Sequence, residues 1–320
     1  MNKTNIALAG GGVWLALILI VFFVSDMEEN LTGADLSNKD LTGIILTGAD
    51  LTNSNLTGVD LSGHDLTGTI LTGADLSYAN LSRLDLSDKD LTSTILSNAD
   101  LSHSLLIGQD LSQHDLTGTI LTTTNLSNAK LPNNALSDKN LDRTKFNNVD
   151  LSFNDLSYSH LQEAEFDGAN LENTNLTDTN FVQVDFRNIK NKSFDGENIK
   201  FTSFLHSDLT GIDFHGEIHR TFFEAADLTG VDFSDQRISY TYFYRANLQN
   251  ANFENADLSF DFVDAKYTNL SSLGHLDMVE LNEELFAAVG SKALSQRPMS
   301  SQVDGDDLIV TSKFFSLFAD

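Results

Sequence analysis

The sequence predicts an all-β solenoid, a chain wound in stacked coils around one continuous apolar core. Three observations carry that expectation. A leucine or phenylalanine stands at every fifth position from Leu31 to Phe186 without a gap. This spacing fits neither regular element, because five residues rotate about 140° on an α-helix and change face at each step on a strand. The residues in between are mostly Asp, Asn, Ser, Thr and Gly, which suit corners rather than flat sheets. A chain that turns once per five residues points each Leu or Phe inward and leaves the polar residues in water. No such coil is stable alone, so the core must be built by stacking.

Composition narrows the function. The 320 residues include two prolines, no cysteine and a net charge of -27. Residues 1–25 contain Lys3 and no acid, so -27 - 1 = -28 falls on residues 26–320. The missing cysteines exclude thiol catalysis, disulfides and cysteine-ligated metal. A surface this acidic excludes nucleic acid as a partner, because phosphates would be repelled. Acidity can also signal disorder, but disordered chains are poor in apolar residues, whereas here they recur in strict order.

Residues 1–29 read as an N-terminal transmembrane anchor with a short linker. Ile6 to Val24 gives 19 residues without a charge, roughly 28 Å of helix, enough to cross the hydrocarbon core. A cleaved signal peptide is the alternative, but bulky Phe23 stands where a small-x-small cleavage site would be needed. Lys3 precedes the span while Asp26, Glu28 and Glu29 follow it. The positive-inside bias then places the N-terminus in the cytoplasm and the repeat domain outside the membrane.

The repeat body runs over residues 30–265. Two residues before the Leu or Phe the side chain is often small, as at Ala34, Ala49, Ala74, Ala79, Ala99, Ala164 and Ala169. Asp or Asn usually precedes the Leu or Phe, Ser or Thr follows it, and Gly often comes next, as in Ala49-Asp-Leu-Thr. This pattern resembles the pentapeptide-repeat family from about Leu31 to about Val263. The resemblance implies a right-handed quadrilateral β-helix, four pentapeptides to a coil, with the central and the small residue both facing in. At ~4.8 Å per coil, roughly twelve coils would make a rod on the order of 55 Å long. In the C-terminal half Phe223, Phe233, Phe243 and Phe253 alternate with Leu228, Ile238, Leu248 and Leu258. Phenylalanines should therefore line two opposite walls and aliphatics the other two. The register slips after Phe186 and again after Phe214, which predicts bulges or loops near 187–193 and 215–222.

A longer period of 25 overlies the five. Lys39, His64, Lys89, His114 and Lys139 recur at the nominally inward small position, and Ile45, Ile70, Ile95 and Ile120 at the nominally outward one. On a 20-residue coil, a step of 25 moves one wall around and one coil along, so these residues form a diagonal stripe. Duplication of a 25-residue unit or a helical binding stripe would each leave this mark. A buried column of lysines would be costly, so the Lys and His heads are expected to reach solvent at corners.

No nucleophile, base and orienting acid can be assembled from spacing, so the sequence predicts no catalytic residues and no cofactor. The one local cluster is His215, Glu217 and His219, inside the second slip, a weak candidate for zinc that lacks the helical His-Glu-x-x-His spacing. After the coil, Met278, Leu281, Leu285 and Val289 share a helical face, which predicts a C-terminal capping helix within residues 266–293 or a homodimer contact there. Residues 294–320 read as a polar linker followed by an apolar tail that docks on the rod or on a partner. The anchor, the charge and the missing site together predict a non-enzymatic, membrane-anchored acidic scaffold that binds another protein. The family resemblance also implies an alternative, since some soluble members mimic duplex DNA and bind type II topoisomerases. An enzyme using the 215–219 cluster is the third reading.

Overall fold

The computed structural model describes residues 30–133, 135–259, 262–263, 275–277 and 280–281. Within them the chain stacks on itself every 20 residues. Parallel bridges join Asn30 to Asp50, Asp50 to Ile70, Asn55 to Asp75 and Asp60 to Asn80, so four pentapeptides complete one coil. Each wall is short. The Leu51 N–H donates to the Ile70 carbonyl of the next coil at 2.9 Å, and the Ala49 N–H closes a turn on the Leu46 carbonyl at 3.0 Å. The second residue after most central Leu or Phe residues lies in the left-handed region, as at Asn53 with φ 56° and Gly48 with φ 73°. Glycine and asparagine tolerate that conformation best, which explains why they follow the Leu-Ser/Thr pair so often.

The core is the column that the five-residue period predicts. Central residues from Leu41 to Leu258 are buried, together with small inward residues such as Ala49, Ala74 and Ala99. Phenylalanines do line two opposite walls in the last coils. Phe223 stacks on Phe243 at 5.3 Å and Phe233 on Phe253 at 4.9 Å, while Phe233 meets Phe243 edge-on across the core at 5.8 Å. Such stacked and edge-on pairs add to the area they bury.

The two register slips are small adjustments of adjacent coils. Pairing runs 20 residues apart at Asp150 and Asn170, 23 apart at Asn180 and Ser203, then 19 apart at Ser203 and Phe222. The first slip thus inserts three residues, taken up by strand β1 (Ser193–Asp195) and a 3-10 turn over Gly196–Ile199. The second removes one residue between β2 (Asp213–His215) and β3 (Ile218–His219). The two stack on each other: β1 pairs with β2, and a Cβ on Gly196 would overlap the Glu217 carbonyl. The surplus of three residues in one coil and the deficit of one in the next lie against each other, and the wall stays paired there.

The C-terminal reading needs correction. β4 (Arg237–Ser239), β5 (Asp257–Ser259) and β7 (His275–Asp277) continue the wall of β3, and β6 (Phe262–Val263) pairs with β8 (Glu280–Leu281). Leu281, placed above on the face of a capping helix, is therefore in a strand that extends the coil, in parallel register with Val263. Helical spacing of apolar residues cannot be told from another coil when an unpaired strand edge is waiting to be continued. The rest of the 266–293 segment and all of 294–320 lie outside the described residues. So does the anchor over 6–24; among the described residues no helix is long and apolar enough to cross a membrane.

The 25-residue period also behaves differently from expectation. The heads of His64, Lys89, His114 and Lys139 turn inward rather than out to solvent. Lys89 is only 7% exposed, and its ammonium meets the exposed Asp88 carboxylate at 3.1 Å. His64 Nε2 lies 3.0 Å from the Leu41 carbonyl and His114 Nε2 lies 2.9 Å from that of Leu91. Since a carbonyl only accepts, Nε2 carries the proton in both rings. The Lys139 ammonium donates to the Leu116 and Thr119 carbonyls and to the Thr119 hydroxyl. The acceptors are turn carbonyls with a second lone pair to spare, and Thr69, Thr124 and Thr144 use them in the same way. Desolvation is thus offset in part, since Nδ1 of His64 and of His114 is buried without a partner, and the sequence alone did not suggest these acceptors.

Candidate interaction surface

The outward corners are built from ordered carboxylates. Where Asp precedes the central residue, its carboxylate accepts the N–H two residues on, as from Ser37 to Asp35 at 3.1 Å and from Ser62 to Asp60 at 3.0 Å. The Ser hydroxyl adds a second bond at 2.7 Å in both. Hydroxyl first and amide second, these bonds hold Asp35 and Asp60 below the ordinary carboxylate pKa, as Thr67 does for Asp65. The charge is therefore fixed in rows along the walls. Asparagine interrupts those rows: Asn170 donates to Asp150 at 3.0 Å, Asn175 to Asp155 at 3.0 Å and Asn252 to Asp232 at 3.0 Å, each from the next coil. A neutral amide above a carboxylate replaces the repulsion of like charges directly opposite. Cations do the same at Lys130 over Asp110, 2.8 Å, and Arg143 over Glu163, 2.8 Å.

The stripe of period 25 is a seam in this surface. Ile45, Ile70, Ile95 and Ile120 are exposed. Directly above each, the ladder is open, with no bridge from Ile45 to Asp65, Ile70 to Asp90, Ile95 to Asp115 or Ile120 to Asn140. The N–H groups of Leu46, Leu71, Leu96 and Leu121 make no bond to the next coil, whereas those of Leu51, Leu76 and Leu101 do. The residue opposite each isoleucine follows one of the inward His or Lys residues. Gln109 sits at the equivalent inward site: Asp110 beside it is open to Asp90 below and paired with Lys130 above, as Asn140 beside Lys139 is open to Ile120 and paired with His160. The seam therefore lies beneath a long inward polar side chain, whether imidazole, ammonium or amide.

The structure does not gather the 215–219 residues. His215 is exposed at the end of β2, Glu217 lies 4.0 Å from Arg237, and His219 Nδ1 bonds the Ser239 hydroxyl at 2.7 Å with Tyr240 edge-on at 5.3 Å. Among the described residues no three His, Cys, Asp or Glu side chains converge to hold a metal.

A different cluster emerges at this level. Ile199-Lys-Phe-Thr-Ser-Phe204, Ile218-His-Arg-Thr-Phe-Phe223 and Ile238-Ser-Tyr-Thr-Tyr-Phe243 stack on one wall. The Arg220 guanidinium is held between two rings, 5.4 Å from Phe201 and 5.5 Å from Tyr240. Phe222 stacks on Tyr242 at 5.1 Å, and Arg245 lies 4.9 Å from the Tyr244 ring. Residues 199–206, 218–225 and 238–245 together hold Lys200, Arg220 and Arg245 against the single acid Glu224. The motif Ile-x-x-Thr-x-Phe was visible in the sequence, but the slip of one residue hid the fact that its copies stack.

The profile of the Pentapeptide repeats family matches residues 30–63, 54–92, 69–106, 85–122, 99–133, 155–190 and 223–259. The chain belongs to the pentapeptide-repeat family. No curated protein matches this pentapeptide-repeat chain. Among solved structures it is similar to HetL, a pentapeptide repeat protein involved in heterocyst differentiation regulation from the cyanobacterium Nostoc sp. strain PCC 7120. That match has 20% identity over 85% of this chain and 95% of HetL, with a TM-score of 0.23. It is also similar to full-length QnrB1, a plasmid-mediated fluoroquinolone resistance protein, at 18% identity over 83% of this chain and 99% of QnrB1, TM-score 0.20. A third is a pentapeptide repeat protein of the Arabidopsis thaliana thylakoid lumen, with 19% identity over 45% of this chain and 68% of that one, TM-score 0.12.

Proposed function

We propose that this pentapeptide-repeat protein is a non-enzymatic interaction rod. On this reading the coil is right-handed, the hand that parallel crossovers take, and residues 6–24 hold it at a membrane with the N-terminus in the cytoplasm and the coil outside. The observation that carries the reading is the set of carboxylates fixed in rows at the corners, held ionised by Ser, Thr and backbone donors. Pre-ordered charge of this kind loses little entropy when a basic surface docks on it, and it steers the encounter from a distance. The partner is accordingly a protein with a basic surface. Protease accessibility of a C-terminal tag in intact cells tests the topology. Digestion from outside is expected, and protection until the membrane is opened would overturn it. Protection would also favour the second reading, a DNA-mimicking topoisomerase binder, for which the same acidity of -27 speaks. Gyrase binding by the purified chain would then decide between the two. For partner capture, cross-linking in native membranes at low salt should recover one protein in stoichiometric yield. Replacing Asp35, Asp60 and Asp65 by Asn should reduce that yield severalfold, and an unchanged yield would remove the acidic rows from the mechanism.

A further inference from the structure

On a chain of net charge -27, the wall over 199–206, 218–225 and 238–245 is cationic and aromatic. Phe201, Phe222 and Tyr240 are 41%, 37% and 40% exposed, and Arg220 and Arg245 are exposed beside them. A guanidinium sandwiched between rings keeps its N–H edge available for a carboxylate while its faces are covered.

We infer that this face is the docking site of the chain's own C-terminal segment, Asp304 to Phe318, bound in cis. The segment reads Asp-Gly-Asp-Asp-Leu-Ile-Val-Thr-Ser-Lys-Phe-Phe-Ser-Leu-Phe. It carries three carboxylates against one Lys, and seven large apolar side chains. Its chemistry is the complement of the wall: carboxylates for Arg220 and Arg245, apolar side chains for Phe201, Phe222 and Tyr240. Reach is ample. Leu281 in β8 lies two coils beyond Tyr242, because 242 precedes 262 by one coil and Val263 pairs with Leu281. That is roughly 10 Å along the axis. The 23 residues from Leu281 to Asp304 span up to about 75 Å when extended. A tether of this length presents the segment at an effective concentration near the millimolar range, so even weak contacts keep it bound. The apolar run of the tail and the aromatic wall then leave water together.

The test uses the full chain in detergent micelles, where the absence of native cysteine permits two specific spin labels. Labels are placed at Gln249→Cys, exposed on the next wall, and Ser312→Cys, in the polar middle of the segment. A single narrow distance is expected, unchanged on tenfold dilution with unlabelled chain. Phe314→Ala with Phe315→Ala and Phe318→Ala should replace it by a broad distribution, and so should Arg220→Glu with Phe222→Ala. Lys130→Glu, on another wall, should leave it narrow. The tail variant alters no residue of the coil, so its thermal midpoint should stay within a degree or two of the parent, which separates undocking from misfolding. A broad distribution in the unmutated chain, or a narrow one that survives Arg220→Glu with Phe222→Ala, overturns the proposal. A narrow distance lost on dilution overturns it equally, by assigning the site to a second copy.

Discussion

Replacing Lys89 by alanine should stabilise the rod, although large-to-small substitution at a buried site ordinarily does the reverse. Asp90, the next residue, is out of the ladder in both directions. Four bonds are unmade: Leu71 N–H to Asp90 O, Asp90 N–H to Thr69 O, Leu91 N–H to Asp110 O and Asp110 N–H to Lys89 O. Alanine is the residue this position takes at Ala74 and Ala99, where the ladder is closed. At about 1 kcal/mol net for each bond, closure contributes about 4 kcal/mol, against about 2–3 kcal/mol for the packing of the lost stem. The balance favours Lys89→Ala by roughly 1–2 kcal/mol, with a further gain from no longer burying an ammonium whose one ion-pair partner is exposed. Hydrogen exchange is the assay, because a stacked-coil protein need not unfold in one step and a local readout is required. In the parent the amides of Leu71 and Leu91 should exchange far faster than those of Leu76, Leu81 and Leu86, and in Lys89→Ala the two groups should converge. Lys89→Gln is the companion variant that removes the ammonium and keeps a long inward side chain, as at Gln109, where the pair below Asp110 is open and the pair above it closed. If Leu71 and Leu91 stay fast in both variants and stability falls, the inward lysine is not what holds the seam open.

Phe223 is buried between Phe204 at 5.4 Å and Phe243 at 5.3 Å, so Phe223→Ala should cost about 3–5 kcal/mol and unfold the C-terminal coils first by limited proteolysis. Acid should destabilise the coil. Asp35, Asp60 and Asp65 have folded pKa values below 3.8, so their contribution is complete above that pH and is lost as pH falls through the folded values. Circular dichroism melts between pH 7 and 2 at high salt, which screens the net charge, should show this loss, and a flat profile would refute it. Burial holds the Lys139 pKa below its ordinary 10.5, opposed by Asp115. The unfolded chain therefore keeps a proton that the folded chain releases, and stability should rise with pH in the window just under 10.5. The difference between parent and Lys139→Met melts isolates this rise; its absence would mean that the three carbonyl and hydroxyl acceptors fully offset burial.

The sequence by itself determined the coil. A five-residue column of Leu and Phe has one geometric solution in which every copy is buried, and the Asp and Gly between them fix the corners. The alternation of Phe223, Leu228, Phe233 and Ile238 likewise foretold which walls would carry rings, because ten residues are half a coil. The stripe of Ile45, Ile70, Ile95 and Ile120 was also legible, being arithmetic on 25 and 20. What only the tertiary structure decided was where the polar groups went. Lys89, His64 and His114 looked too costly to bury, but the coil beneath supplies turn carbonyls with a spare lone pair, and such acceptors exist only once coils are stacked. The slips near 187–193 and 215–222 read as two separate bulges or loops, whereas the stacked coils bring them against each other at Gly196 and Glu217. His215, Glu217 and His219 are neighbours in sequence but do not converge, Glu217 lying towards Arg237 and His219 bonding Ser239. Phe201, Arg220 and Tyr240, some twenty residues apart, are neighbours in space because parallel stacking sets contact by coil and not by chain distance.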